Sequence, residues 1–225
     1  MKKEQTRICE LYELNHTMAA EYLRQFTYPW EALAGLADFL RELGNTLDPE
    51  EYEKRGEEIW IHREAHVYES AYLTGPLIVC RGAEIRHCAF IRGSALVGEN
   101  AVVGNSTELK NVILFDGVQV PHYNYVGDSI LGYKAHMGAG SITSNVKSDK
   151  LPVWVHAEDG EIETGRKKVG ALVGDRVEVG CGSILNPGSV IGRDTSIYPL
   201  SSVRGCVDAR SIYKREGEIA AKRQG

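Results

Sequence analysis

Two basic residues and one imidazole are placed where chemistry can happen. Arg92 follows the apolar Ile91, Lys110 follows Leu109, and the two cations are eighteen residues apart. A guanidinium grips phosphate through two N–H groups and an ammonium adds a point charge, so such a pair suits a phosphate. The plainer alternative is a solvated surface pair. His122 follows Pro121 within Pro121-His122-Tyr123-Asn124-Tyr125. An imidazole titrates near neutrality and can take the proton of an attacking nucleophile. The plainer alternative there is a solvent-facing loop histidine. Further on, Gly138-Ala139-Gly140 permits close backbone approach to a ligand, and Asn145 adds an amide. Both suit a developing oxyanion. Lys150 and Arg166-Lys167-Lys168 are available to anionic groups, although a charge run is usually just solvated.

These residues must be carried by a scaffold, and its period is six. Ile61, Val67, Leu73, Val79, Ile85, Ile91, Val97, Val103, Leu109 and Phe115 follow one another in steps of six, all large and apolar. Four residues after each come mostly small ones: Ala65, Ala71, Leu77, Ala83, Ala89, Ala95, Ala101 and Thr107. A shorter run reads Tyr125, Leu131, Met137, Thr143, and the frame resumes at Val173, Val179, Leu185, Ile191, Ile197 and Val203. Six is a multiple of the strand period, so the apolar residues keep one face. Short strands turning at small residues describe a parallel β-solenoid. A β-sandwich is the alternative, but its strands hold no fixed six-residue frame.

Residues 1–58 differ and read as a helical extension, with 59–207 as the solenoid and 208–225 as a charged tail. Leu33, Leu36, Leu40 and Leu43 have helical spacing and Gly44 is a stop signal. Thr17 caps a short helix reaching toward Phe26, and Asp48-Pro49-Glu50-Glu51 reads as another helix start. The extension is expected to cover the first coil's open edge. The frame slips between Phe115 and Leu131, around Pro121–Tyr125. Residues 151–168 abandon it and read as a protruding hairpin, with Val153 and Val155 alternating before Asp159-Gly160.

Composition sets limits. The 225 residues carry 26 Lys+Arg against 31 Asp+Glu, a formal charge of −5 that offers no basic face for nucleic acid. No apolar run reaches the length of a membrane span, and Met1–Arg7 leads into no signal-like stretch. Five cysteines (Cys9, Cys80, Cys88, Cys181, Cys206) form no Cys-x-x-Cys pair, which fits a reduced, cytoplasmic protein without a cysteine zinc site.

Val97-Gly98-Glu99-Asn100-Ala101-Val102 and Val103-Gly104-Asn105-Ser106-Thr107-Glu108 match the hexapeptide-repeat pattern. The chain therefore resembles the hexapeptide-repeat acyltransferases, which implies a left-handed parallel β-helix. His122-Tyr123-Asn124-Tyr125-Val126-Gly127-Asp128 and Gly138 to Asn145 resemble the acetyltransferase domain of bifunctional N-acetylglucosamine-1-phosphate uridyltransferase/glucosamine-1-phosphate acetyltransferase. Gly165 to Asp175 resembles archaeal-type sugar-1-phosphate nucleotidylyltransferase/amino-sugar acetyltransferase relatives.

The resemblance implies a homotrimer with sites between subunits, and acetyl transfer from acetyl-CoA to the amine of a hexosamine 1-phosphate. It implies His122 as the base and Asn145 as a second catalytic group. Arg92, Lys110, Tyr125, His136 and Lys150 fall on the acceptor side. Ala139, Cys181, Pro199, Lys167 and Lys168 fall on the coenzyme side. Three hexads per coil would stack Arg92 on Lys110. His136, Cys181 and Pro199 depart from the family's Asn, Ser and Ala. No glycine-rich nucleotide loop of the uridyltransferase type is found, so pyrophosphorylase activity is not expected. Two alternatives remain. One is a non-catalytic trimeric sugar-phosphate scaffold. The other is a carbonic-anhydrase-like metal enzyme using His62, His66, His87, His122, His136 or His156; no metal is expected.

Overall fold

In the computed structural model, which describes residues 1–222, the six-residue frame becomes the rungs of a parallel β-solenoid with three faces. On the first face Val79, Val97, Leu114, Leu131, Val173, Ile191 and Val207 lie in register. On the third, Leu73, Ile91, Leu109, Val126, Thr143, Leu185 and Val203 do. The second face stacks Val67, Ile85, Val103, Val120, Met137, Val179, Ile197 and Tyr213. The small companions Ala83, Ala89, Ala101 and Thr107 are buried at the turns, and Ala95 is buried at the start of a strand.

The frame shortens at two places, and neither is Pro121–Tyr125. Val120 to Val126 keeps its six. The register steps by five from Leu109 to Leu114 and again from Val126 to Leu131. Each short step turns at a left-handed residue, Asn111 (φ 57°) and Asp128 (φ 47°), residue types that tolerate that conformation. The strands Glu108–Leu114 and Tyr125–Leu131 therefore run unbroken around a corner. Phe115 falls at the next turn rather than in a strand column, though it is fully buried, and Tyr125 faces outward beside the inward Val126.

One face is apolar on both sides. Ile78, Leu96, Ile113, Ile130, Leu172 and Val190 point away from the solenoid axis between inward neighbours, yet all are fully buried. The N-terminal segment covers the rungs of Ile78, Leu96, Ile113 and Ile130, and the strand Trp154–Ala157 packs on the rung of Val190. The segment runs lengthwise along the stack rather than sitting over the first coil. Asp175 N–H donates to the Leu11 carbonyl (3.1 Å), Asp116 N–H to the His16 carbonyl (3.0 Å), and the helix Leu36–Gly44 packs on strands Leu77–Val79 and Ala95–Val97. Replacing Ile113 by alanine should cost about 2–5 kcal/mol. Ile184, outward on the third face and 40% exposed, should cost well under that. Urea unfolding of both variants checks this, and equal costs would mean the first face is not covered.

The expected helix at Asp48 is a single turn: Asp48 Oδ1 accepts from Glu50 N–H (2.8 Å), and the chain enters strand Tyr52–Lys54. That strand pairs antiparallel with Ile59–His62, so a strand, not a helix, covers the first rung's edge. At the other end residues expected as a tail form strands Ser211–Arg215 and Glu218–Ala221, an antiparallel pair on the last rung. The 151–168 hairpin exists, Trp154–Ala157 against Gly160–Glu163, but it does not protrude. Val153 and Val155 are fully buried, and the Glu158 N–H reaches the Met1 carbonyl. All five cysteines are free, and no described helix is long and apolar enough to cross a membrane.

Candidate functional site

The corner between the third and first faces gathers four of the expected residues. Ile91 pairs with Leu109, so Arg92 and Lys110 follow on adjacent rungs, one strand spacing of about 4.8 Å apart. Each has its own anion. Arg92 Nε is 2.6 Å from Glu108 Oε1, and Lys110 Nζ is 3.0 Å from both Asp128 oxygens. The repulsion between stacked cations is thus relieved within the chain, and Glu108 raises the Arg92 pKa further. The Arg92–Glu108 pair is half-exposed and adds about 0–1 kcal/mol at most.

Asp128 is the centre of this corner, and its side chain is only 2% exposed. Besides Lys110 it accepts Asn111 Nδ2 (2.9 Å) and Asn145 Nδ2 (2.6 Å), and Asn145 Nδ2 also lies 3.2 Å from the Tyr125 hydroxyl. Burial raises the Tyr125 pKa, with Glu108 adding to it. A Cβ on Gly127 would meet the Tyr125 hydroxyl and the Asn145 amide, which would have to shift to admit it. Lys110, Tyr125 and Asn145 are therefore held together by a residue that sequence reasoning passed over. A lone carboxylate inside the apolar stretch Tyr125–Leu131, at a shortened step, was the available signal. Asn145 is also reassigned. Its amide is committed to Asp128 and Tyr125, so it braces this corner and is not free to meet a thioester oxyanion.

The corner between the second and third faces gathers another four. The carbonyls of His122, Ala139 and Cys181 accept from Gly140 (3.0 Å), Gly182 (2.8 Å) and Leu200 (2.9 Å) N–H groups respectively. His122, Ala139, Cys181 and Pro199 thus form one ladder up the edge. Buried Asn124 locks it: Oδ1 accepts the His122 N–H (3.1 Å), and Nδ2 donates to the Gly138 and Ser141 carbonyls (2.9 and 3.0 Å). The His122 ring is exposed. Gly138 and Gly140 amides are spent on rung hydrogen bonds, to Val179 and His122, which leaves Ala139 as the donor of that run.

The two corners border one face, with Phe90, Glu108, Tyr125 and Ile142 as the outward row between them. His122 and residue 127, which pairs with Lys110, are five residues apart along the coil, so even a fully extended path would separate them by only roughly 16 Å, and the turn at Tyr123 shortens it. The imidazole and the cations do not touch. They flank a floor on which Tyr125 is central.

Other expected residues lie elsewhere. His136 points off the second face, its Nδ1 2.8 Å from Glu178 Oε2, away from the Asp128 group. Lys150 is exposed in a turn and bonded to neither corner. Lys168 bridges to Val146, and Val169 N–H donates to the Asn145 carbonyl (3.1 Å). Lys167 and Lys168 therefore stand on the Asp128 side of the face rather than on the His122 ladder, because the hairpin's return strand is anchored there. Among the described residues, no three His, Cys, Asp or Glu side chains converge as a metal site.

Parallel rungs in a six-residue frame, with small residues at the turns, define a hexapeptide-repeat β-solenoid. The chain belongs to the GMPPB C-terminal domain family, whose model matches residues 56–169. It is 28% identical, over 97% of its length, to the bifunctional protein GlmU of Methanococcus maripaludis strain C5, of which it spans 54%. It is 31% identical, over 78% of its length, to a bifunctional sugar-1-phosphate nucleotidylyltransferase/acetyltransferase of Sulfurisphaera tokodaii, of which it spans 43%. The chain thus spans about half the length of these curated relatives. Among solved structures, a hexapeptide transferase family protein from Anaplasma phagocytophilum aligns with 74% of this chain and 80% of its own at 16% identity and a TM-score of 0.42.

Proposed function

We propose that the chain transfers an acetyl group from acetyl-CoA to the amine of a hexosamine 1-phosphate. The observation that carries this reading is the placement of His122 and the Arg92–Lys110 pair at opposite edges of one face, with Tyr125 between them. A sugar phosphate laid across Tyr125 meets cations at one end and an imidazole at the other. The name of the Sulfurisphaera tokodaii relative, which pairs a sugar-1-phosphate nucleotidylyltransferase with an acetyltransferase, supports it.

In this reading the acceptor amine attacks the thioester carbonyl and forms the new C–N bond. The Ala139 N–H receives the developing oxyanion. His122 takes the proton released by the nitrogen. The C–S bond breaks, and the coenzyme leaves as a thiolate that recovers a proton. Cys181 and Pro199, above Ala139 on the same ladder, line the coenzyme's path. Exposed Tyr72, Phe90, Tyr123, Tyr198 and Leu200 supply apolar surface for neighbouring copies, which fits a homotrimer.

Release of free thiol from acetyl-CoA, measured across a panel of amino-sugar phosphates, tests the reading. Turnover with a hexosamine 1-phosphate is expected, and no thiol release with any of them would end it. Arg92→Ala should raise KM for the sugar phosphate about tenfold while leaving KM for acetyl-CoA within twofold; equal effects would count against a phosphate role. The second reading, a scaffold that binds the sugar phosphate without turnover, draws on the engagement of His136 by Glu178. Sugar-phosphate binding with no thiol release would select it.

A further inference from the structure

The ladder at the corner between the second and third faces follows one rule until its lowest turn. From Leu200 down to Ser106, each corner N–H donates to a backbone carbonyl one rung below, as Tyr123 does to Asn105 (2.9 Å) and Ser106 to His87 (3.2 Å). Cys88, one rung further down, donates instead to a side chain, Ser70 Oγ, at 3.2 Å. With that lone pair occupied, the Ser70 hydroxyl donates to His87 Nδ1 at 3.1 Å. The neutral imidazole then carries its own proton on Nε2.

A carboxylate stands close by. The eighteen-residue offset holds on both sides of this turn, Val67 against Ile85 and Tyr72 against Phe90, so Glu69 is one rung below His87. Glu69, Ser70 and His87 are all exposed. The imidazole packs on the Tyr68 ring, with centroids 4.3 Å apart, and the His87 carbonyl accepts Asn105 Nδ2 at 3.1 Å. The Ser70 N–H has no hydrogen-bond partner among the described residues. A turn that only needed closing would be served by any acceptor for the Cys88 N–H. A hydroxyl bonded to an imidazole, with a carboxylate one rung away and an unused N–H on the nucleophile itself, is what acyl transfer through serine requires.

We propose that Ser70 and His87 form a second catalytic centre, two rungs below His122, that cleaves small activated carboxylic esters through an acyl-serine. Ser70 Oγ attacks the ester carbonyl and forms the new C–O bond, while His87 Nδ1 takes the hydroxyl proton. The Ser70 N–H is available to the oxyanion, and the Glu69 carboxylate favours the imidazolium. The bond to the leaving oxygen breaks, and that oxygen recovers the proton from His87. Water then attacks the acyl-serine, gives a proton to the same nitrogen, and releases the carboxylic acid as Ser70 regains its hydrogen. This centre stands independently of the acetyl transfer proposed above.

The test is incubation of the full chain with p-nitrophenyl acetate, read by nitrophenol release and, after an acid quench, by peptide mass spectrometry. The wild-type peptide carrying Ser70 should gain one acetyl group. Ser70→Ala should lose that group and slow nitrophenol release by about tenfold or more. His87→Gln, which leaves the serine in place, should slow acetylation of Ser70 by about tenfold or more, and it decides the matter if the Ala variant does not fold. His66→Gln, which removes an exposed imidazole on the neighbouring face, should stay within about twofold, because reaction at surface histidines is not the source of the signal. Wild type with no acetyl group on Ser70, or with acetyl groups only on other residues, overturns the proposal. So does undiminished acetylation of Ser70 in a folded His87→Gln variant.

Discussion

Replacing His122 by alanine is expected to lower kcat for acetyl transfer by about a hundredfold or more. KM for acetyl-CoA should stay within a few-fold. The reason is geometric. The His122 carbonyl and N–H are both engaged, by Gly140 (3.0 Å) and Asn124 (3.1 Å), so the ladder survives without the ring. The ring itself is exposed. Losing it removes a proton acceptor and little packing. Steady-state thiol release with a hexosamine 1-phosphate checks this, with thermal unfolding as control. A fall in kcat of less than fivefold, in a variant that unfolds like wild type, would remove His122 from the chemistry.

Replacing Asp128 should do more damage, and of a different kind. Its carboxylate holds Lys110, Asn111 and Asn145 at 2.6 to 3.0 Å from a side chain 2% exposed. Hydrogen bonds to a charged group contribute about 1.5–3 kcal/mol each, and donors left without an acceptor add a penalty. Because Lys110 is 26% exposed, solvent recovers part of its loss. Asp128→Ala is therefore expected to destabilise the chain by about 3–4 kcal/mol in urea unfolding. Asp128→Asn keeps the shape but not the charge. It should fold, and kcat/KM for the sugar phosphate should fall at least tenfold while KM for acetyl-CoA holds. Loss of both substrates' binding in the Asn variant would point to a general distortion instead.

Much of the scaffold was written in the sequence because six-residue spacing maps directly onto rungs. Ile91 and Leu109, three hexads apart, are paired partners, and Arg92 and Lys110 stack as the family resemblance implies. The corrections share a cause. A slip between Phe115 and Leu131, around Pro121–Tyr125, is expected from the sequence; one short step does fall in that interval, at Asp128, and the other falls before it, at Asn111, each turning a corner one residue early by adopting positive φ. Polar residues in an apolar run were the sign. The covered face was legible too. Leu77-Ile78-Val79, Ala95-Leu96-Val97 and Ala171-Leu172-Val173 are apolar at three consecutive positions, where a strand wet on one side would alternate. What could not be read was the pairing of Arg92 with Glu108 and of His136 with Glu178. Both depend on which outward side chains meet across rungs.

The lengthwise path of the N-terminal segment has a consequence for how the molecule comes apart. A solenoid whose repeats touch only their neighbours loses coils one at a time from either tip. Here Cys9 is tied to Arg193 (3.1 Å), Leu11 to Asp175, His16 to Asp116, Leu33 to Asn111, and Gly44 rests on Trp60. The segment is a splint fastened along most of the column. Peeling a terminal coil means lifting the splint from its neighbours as well, so the column is built to melt as one unit instead of fraying.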